Sequence, residues 1–535
     1  MAGMTRDFAR LTNLSVDVVV VGGGIHGLFA AYDAAQRGLS TVLLERDDFG
    51  AGISFNHQRT IHGGLRALQS GNVRKCREMI RERRAWARMA PHLVRPLPFL
   101  IGTYRGTTRA RTAVRLGMKV FDWLGRDRNR DVLPELHLPK GRLESAAATK
   151  RLFPGISEAG LSGGAIWYDY QTIHPDRLTW CVALAAERAG ATLCNYAEVT
   201  GLSASPTGPV TVTVRDCAGR GSATLTAGQV VLAAGSGVAA LTQASGLQLS
   251  LPPLVRAMNV LLDRPARDIA LAARAASGRM YTLVPWRGAL LAGTWQASTT
   301  GSTKDTGSGL PQDFLADINS AFPALAVTAS DVRFVHDAMV PAATTGDRVD
   351  LLAEPIITRV VGTPAVILLV GVKYTTARLA AARAIDLVPG ARSSRTDASV
   401  LPHADVTDSE GLIEETCRRL RVRLDRDVHR HLASWYGDQA GAVLLLGAER
   451  SALRRLSDAT PVLESEVIWA AEHGGVVRLS DIVFRRTALA SAGSPGEAAL
   501  TRAAQLAASA LGWSVETQEE ELADVRARLR ESGTR

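Results

Sequence analysis

The sequence predicts an α/β nucleotide-binding domain whose strands are separated along the chain, an inserted, mostly antiparallel β domain, and an α-helical C-terminal domain. Three observations predict it. A strand–turn–helix–strand unit occupies residues 14–50. Two further apolar runs, 229–232 and 365–370, each end in a glycine-containing turn. Beyond a polar linker at 390–408 the chain becomes Arg- and Glu-rich with helical periodicity. Unbroken β-branched and leucine runs of this kind read as strands buried on both faces, the pattern of a parallel sheet covered by helices.

The first unit carries the most information. Val18, Val19, Val20 and Val21 lead into Gly22-Gly23-Gly24-Ile25-His26-Gly27, so Gly22, Gly24 and Gly27 have the G-x-G-x-x-G spacing at the mouth of an Ala-rich helix over 28–36. Such glycines allow a tight turn, close approach of backbone to a pyrophosphate and close packing of helix on strand. The helix N-terminus adds unpaired N–H groups and the positive end of a dipole. Gly38 closes the helix, 41–44 is a second strand, and Glu45 stands where a ribose-binding carboxylate belongs.

Residues 78–89 are helical in pattern and 91–100 form a Pro-punctuated connection. A short Gly-rich stretch at 160–170 precedes a helix over 178–190 and a strand at 192–196. Residues 210–215 and 223–226 alternate around Ala218-Gly219-Arg220, a hairpin signal, and 229–232 runs into Ala233-Ala234-Gly235. From 251 to 345 the chain reads as strands and loops. Residues 365–370 meet Gly371-Val372-Lys373-Tyr374-Thr375-Thr376 and a helix from 377 to 387.

At 535 residues the chain exceeds the span of a single hydrophobic core, and 46% apolar with 21% charged residues is an ordinary globular balance. No apolar run is long enough to cross a bilayer and the N-terminus has no secretory apolar region, so a cytoplasmic protein, or one lying on the inner face of the cell membrane, is expected. Five cysteines without paired or metal-ligand spacing are expected to be buried thiols, with no metal site. The net charge of +10, nearly all arginine, suits an anionic substrate or surface. The scattered basic residues, without aromatic interleaving, argue against nucleic acid. Two basic runs, Arg105 with Arg109, Arg111 and Arg115, and Arg126 with Arg128 and Arg130, flank an apolar stretch containing Phe121 and Trp123. They read as a solvated basic loop beside core residues, the commoner case, or as an interfacial membrane segment.

A nucleotide domain completed by a late strand–glycine–helix unit fits FAD better than NAD. A helix starting near Thr375 can aim its N-terminus at the flavin pyrimidine, where negative charge develops on reduction. A second candidate is Arg59-Thr60-Ile61-His62-Gly63-Gly64-Leu65-Arg66. Its paired glycines let backbone approach a planar ligand, and Arg66 offers a bidentate contact to an anion.

Together these segments resemble the FAD-dependent glycerol-3-phosphate dehydrogenases, within the wider glycine oxidase and D-amino-acid oxidase superfamily. The resemblance runs through 21–27, 43–49, 61–66, 90–97, Val284-Pro285-Trp286 with Ala292-Gly293-Thr294, and 371–376. It continues in the tail through Trp469 to His473 and Phe484-Arg485-Arg486-Thr487. It implies a Rossmann-like FAD domain of glutathione-reductase type and hydride transfer from a small anionic hydroxy compound to flavin. It further implies electrons passing to a quinone or another acceptor, and peripheral membrane contact. The implied division is an oxidoreductase domain at 1–395, with FAD segments about 14–105, 160–245 and 350–395 and substrate segments about 106–160 and 246–349, then a helical domain at 396–535. Implied cofactor contacts are Gly22, Gly24, Ile25, His26, Gly27, Glu45, Arg46, Ser54, Arg59, His62, Gly63, Gly64, Ala234, Gly235, Gly371, Lys373, Tyr374 and Thr375. Implied catalytic residues are Lys373, Arg66 and His62.

The chain also departs from the family. Ala257-Met258-Asn259 replaces Gly-Ser-His, whose His is often assigned as the base, and Ala338-Met339-Val340-Pro341 replaces Gly-Val-Arg-Pro, whose Arg grips phosphate. Val372 replaces a glycine. Replacement bases are His62, His336, Asp337 and Lys373. Two other readings stay open: amine or amino-acid oxidation on the same fold, and a non-catalytic flavoprotein.

Overall fold

The structure, a computed structural model, describes residues 4–55, 57–106, 111–204, 208–298, 310–345, 348–404 and 408–533. Two compact units emerge. One comprises Met1–Phe55, His174–Val255 and Met339–Leu529, the other Asn56–Ile173, Arg256–Ala338 and Arg530–Arg535.

The first unit is built on a sheet of β1 (Ser15–Val21), β2 (Thr41–Leu44), β3 (Thr192–Cys194), β4 (Ser222–Leu232), β5 (Ile356–Val360) and β6 (Thr363–Val370), ordered β5-β6-β4-β1-β2-β3. The five from β6 to β3 are parallel, with Val21 opposite both Leu44 and Leu232, and β5 is antiparallel to β6. The hairpin read at 218–220 joins Val210–Asp216 to β4. The valine and leucine runs form the strands because both faces are covered: Val18, Val19 and Val20 are fully buried. Helices α1 (Ile25–Gln36), α2 (Pro175–Arg188) and α3 (Ala377–Ile385) pack around this sheet. Strand order reverses between β1 and β4, whose carboxyl ends lie side by side. In an open α/β sheet such a switch point is where a ligand is held.

The tail is helical, including α4 (Arg426–Tyr436) and α5 (Glu464–His473). It encloses its own core, centred on Trp435, Leu432, Val467 and Leu500. Cys76, Cys181, Cys194 and Cys417 are buried free thiols, whereas Cys217 is partly exposed.

The second unit is a mostly antiparallel sheet, in spatial order Val332–Thr345, Leu254–Leu262, Ala289–Ser298, Met280–Trp286, Ala270–Arg274, Val94–Tyr104, Leu161–Thr172 and Thr60–Ile61. Here the structure differs from the expected division. Residues 91–100, read as a connection, and 160–170, read as a Gly-rich loop, are the partnered strands Val94–Tyr104 and Leu161–Thr172, so 56–105 and 160–173 leave the nucleotide unit. Pro96 and Pro98 lie at alternate positions, so only one edge of that strand loses donors. One face of the sheet buries Met258, Val260, Leu262, Leu283, Phe314 and Ile318. The basic stretch read as a loop is the helix Arg111–Leu124, with Met118, Phe121 and Leu124 buried; Arg109 lies outside the described residues.

Candidate active site

The nucleotide cradle forms where β1, β4 and α1 meet. Gly22 has φ +110°, and a Cβ there would lie 2.7 Å from the Ala233 carbonyl oxygen and 2.8 Å from Ala234 Cα. A Cβ on Gly27 would lie 1.9 Å from the Gly22 oxygen. The fingerprint glycines are therefore demanded by backbone packing even before any ligand is considered. Gly24 precedes α1 in extended conformation, and the Ser54 hydroxyl accepts the Ile25 N–H at 2.8 Å. Glu45 at the end of β2 accepts the Gly23 N–H through one oxygen (2.5 Å) and the Asp47 N–H through the other (2.8 Å). Burial raises its carboxyl pKa, against the lowering effect of those two amides. The amides of His26 and Gly27 donate to no acceptor among the described residues, which leaves the first turn of α1 two donors for a pyrophosphate. These features fit the adenine-dinucleotide half of FAD.

Across the cradle, β4 ends in Ala233-Ala234 and a tight turn with Gly235 at φ +54°. Arg46 is exposed above this turn, paired with Asp47. Gly371, just past β6, faces the His26 ring; a Cβ would lie 2.4 Å from Nε2. Burial lowers the His26 pKa to about 4, so that ring is neutral. The helix expected near Thr375 begins as a tight turn, Tyr374–Thr376, continuing into α3. Tyr374 OH lies 3.0 Å from the Thr179 hydroxyl, and Thr375 is buried. Lys373 sits before this turn with its ammonium donated to the Ala353 carbonyl at 2.6 Å.

In the second unit, Ile61-His62-Gly63-Gly64 follows a short edge strand. His62 Nδ1 meets Asp169 Oδ2 at 3.2 Å, with its ring partly exposed and Asp169 buried. Asp169 also accepts the Gly63 N–H at 2.7 Å and pairs with buried Arg83. Burial alone would raise the Asp169 pKa, but the His62 hydrogen bond and the Arg83 charge outweigh it and the net shift is downward. Asp169 is thus an ionised carboxylate orienting an imidazole whose Nε2 points away, the geometry of an assisted base. No spacing in the sequence links His62 to Asp169, 107 residues away.

The paired glycines serve another purpose than expected. A Cβ on Gly63 would lie 2.2 Å from Arg83 Nη1, and one on Gly64 would lie 3.1 Å from Cys76 Cα. They admit the helix Val73–Met89 and its arginine close against this backbone. Arg66, expected as a bidentate contact to an anion, is exposed on the short helix Leu65–Gln69.

Arg59 presents a buried guanidinium on this sheet. It is 1% exposed at φ +56°, lies 4.8 Å above the Trp286 ring, and donates from Nη2 to His336 Nε2 at 3.1 Å. Its own N–H donates to His57 Nδ1. Burial, then the Arg59 charge, drives both His57 and His336 well below the ordinary histidine range. At neutral pH His336 is a neutral acceptor and a weak base. Asp337 is committed to Arg256 at 2.6 Å. Around Arg59 the sheet presents a polar face. Thr282 donates to Gln58 (2.6 Å), and Thr294 donates to Asn259 (2.9 Å), while a Cβ on Gly293 would strike Asn259 Oδ1 at 2.1 Å. Asn259 is therefore locked against the Gly293–Thr294 backbone, and an amide cannot replace imidazole as a base.

Comparison with known proteins follows from this geometry. Residues 17–387 match the family described as FAD dependent oxidoreductase, and 389–518 match the C-terminal domain of alpha-glycerophosphate oxidase. A glycerol-3-phosphate dehydrogenase of Synechocystis sp. is 30% identical over 96% of each chain. Glycerol-3-phosphate dehydrogenase 2 of Mycobacterium tuberculosis is 30% identical over 97% of this chain and 89% of its own length. The crystal structure of a glycerol-3-phosphate dehydrogenase from Bacillus halodurans complexed with FAD superposes with a TM-score of 0.72. It covers 98% of this chain and 96% of its own at 22% identity, a likeness of fold.

Proposed function

We propose, because this chain belongs to the FAD-dependent glycerol-3-phosphate dehydrogenase family, that it oxidises the carbinol carbon of a small phosphorylated alcohol of the glycerol 3-phosphate kind. It is an FAD-dependent oxidoreductase acting on a CH–OH group. Bound FAD supplies the hydride acceptor. The residues of this chain do the rest. The first turn of α1 and Glu45 hold the nucleotide, His62 accepts the hydroxyl proton at Nε2 under Asp169, and Arg59 takes the anionic group. The observation that carries the anionic substrate is the Arg59 guanidinium, buried to 1% on a polar sheet face and stacked on Trp286. A charge desolvated to that extent attracts an anion more strongly than any surface arginine.

The test is anaerobic mixing of the FAD-loaded protein with sn-glycerol 3-phosphate, glycerate and a panel of amines, following flavin absorbance. Bleaching by the phosphorylated alcohol is expected. Arg59→Met should raise its half-saturating concentration about 10- to 100-fold, the value of one lost charge-assisted contact. Bleaching by amines alone would replace this reading with amine oxidation, a reaction less dependent on a phosphate grip such as the one Val340 lacks.

The electron acceptor is a membrane quinone, and the helix Arg111–Leu124 is the contact with the bilayer. Leu116, Val120 and Trp123, spaced at four and three residues, form an outward stripe exposed by 66%, 37% and 64%. Arg115, Lys119 and Arg126 border it, and the opposite face packs on Cys76 and Ile80. Apolar residues edged by cations suit an anionic lipid surface. Among the described residues no helix is long and apolar enough to cross a membrane. Sedimentation with anionic vesicles should occur at low salt and be lost at high salt or in Trp123→Glu. Failure to sediment at low salt would remove the bilayer from the account.

A further inference from the structure

Between α2 and the helical tail, within the first unit, lies a cavity of about 280 Å³ that shares no residue with the glycine cradle. Its walls include Arg177, Trp180, Glu187, Arg188, His403 and Trp469. Arg177, Trp180, Leu184 and Arg188 fall on one face of α2, at spacings of three, four and four residues, so a single helical stripe brings two guanidiniums and an indole to the space.

Arg177 is 3% exposed. Nη2 donates to the neutral Gln439 side chain at 3.0 Å, the guanidinium lies 5.1 Å above the Tyr436 ring, and Nε has no acceptor among the described residues. No carboxylate pairs with it among the described residues. Arg486, also on the wall, is neutralised by Asp48. A desolvated guanidinium hydrogen-bonded to a neutral amide and paired with no carboxylate favours an anion in the space beside it.

The remaining walls describe the rest of the occupant. His403, at φ +71°, donates from Nδ1 to Asp438 (2.8 Å) and accepts Arg188 at Nε2 (3.3 Å), which holds that second arginine at the rim as a neutral imidazole. Trp469 stacks on His473 at 4.1 Å with planes 16° apart, a flat aromatic surface on the same wall. The space is at the small end of the range for metabolite sites.

We propose that this cavity is a second ligand site, separate from the flavin cradle, for a small organic anion with one phosphate or carboxylate on a flat apolar body. The anionic group meets Arg177, with Arg188 at the rim, and the flat part lies against Trp469.

The test uses the FAD-loaded full-length protein and phenyl phosphate, with inorganic phosphate alone as the second probe, followed by calorimetry, tryptophan fluorescence and flavin absorbance. Phenyl phosphate should bind saturably, quench tryptophan fluorescence and leave the flavin spectrum unmoved. It should bind at least about 10-fold more tightly than inorganic phosphate. Arg177→Met should weaken binding at least about 10-fold. It should also leave the unliganded protein no less heat-stable, because it removes a buried uncompensated charge. Trp469→Ala, at a partly exposed position, should reduce phenyl phosphate to the affinity of inorganic phosphate. Absence of saturation up to about 10 mM, affinity unchanged in Arg177→Met, or binding that shifts the flavin spectrum would each overturn the proposal.

Discussion

Asp48→Asn should destabilise the protein by about 3–5 kcal/mol, with the helical tail the first part to become protease-sensitive. Asp48 follows the ribose-type glutamate by three residues and is fully buried. Arg486 donates to it bidentately at 2.7 and 2.8 Å, Arg485 donates through Nε, and Asn195 donates at 3.1 Å. The two arginines lie on the five-residue π-helical turn Ile482–Arg486, so one carboxylate of the nucleotide domain neutralises Arg486 and shares Arg485 with Asp481 of the tail. Arg486 is further fixed by donation to the Gly474 carbonyl and by lying 3.8 Å over the Trp180 ring. Replacing the carboxylate by an amide leaves Arg486 buried without a carboxylate and Arg485 with Asp481 alone, at 2.7 Å. That is the costly way to break an ion pair, whereas removing both partners together is often close to neutral. Asp48→Leu combined with Arg486→Met should therefore recover more than half of the loss, and no recovery would place the effect in packing rather than charge.

The same carboxylate sets an acid limit. Burial would raise its pKa, but Arg486 and Arg485 hold it at about 2. A carboxyl depressed in the folded state contributes stability above its unfolded value near 3.9 and surrenders it as pH falls toward 2. Thermal midpoints of the wild type should fall more steeply between pH 5 and 2 than those of Asp48→Asn. Parallel slopes would show that Asp48 is not ionised in the native state.

Local chemistry explains which features were legible. The parallel strands, the helix after Gly24 and the hairpin at 218–220 follow from runs and turns contained within a few residues, and the sequence showed them. The strand Leu161–Thr172 was hidden because Gly163 and Gly164 suggest a loop. They are tolerated where side chains of Arg111 and Thr149 fill the glycine faces. The surroundings of Gly63 and Arg66 are hidden for a related reason. The glycine serves Arg83, twenty residues on, and Arg66 turns outward on a helix too short to show periodicity. His62 was found by resemblance alone, since its partner Asp169 sits in a Tyr-Asp-Tyr segment with no motif. Arg59 was counted as a cofactor contact, but its burial between Trp286 and His336 depends on strands more than 200 residues away. Pairings at such distance leave no periodicity to read.

Gly27→Ala should abolish FAD retention. The new methyl would lie 1.9 Å from the Gly22 carbonyl oxygen and 3.0 Å from its carbon, and both are backbone atoms that cannot rotate away. Gly22 is itself set close against the Ala233–Ala234 backbone, where a Cβ would lie 2.7 Å from the Ala233 oxygen, so it has little room to give way. The substitution must therefore push α1 off the sheet by an ångström or more. The amides of His26 and Gly27 would move with it, away from the position where a pyrophosphate meets the helix dipole. Losing two charge-assisted hydrogen bonds and their alignment corresponds to at least a 100-fold weaker FAD affinity, roughly 3 kcal/mol. The purified variant should be colourless and should bind added FAD only at concentrations about 100-fold higher than the wild type needs. Gly38→Ala is the matched control. Gly38 also has a positive φ, of +89°, but a Cβ there meets nothing within 4 Å, so about 1–2 kcal/mol of backbone strain is the whole cost and FAD stays bound. If Gly27→Ala instead purifies yellow with full flavin content, the first turn of α1 is not the phosphate anchor, and the placement of the cofactor on β1 and α1 has to be abandoned.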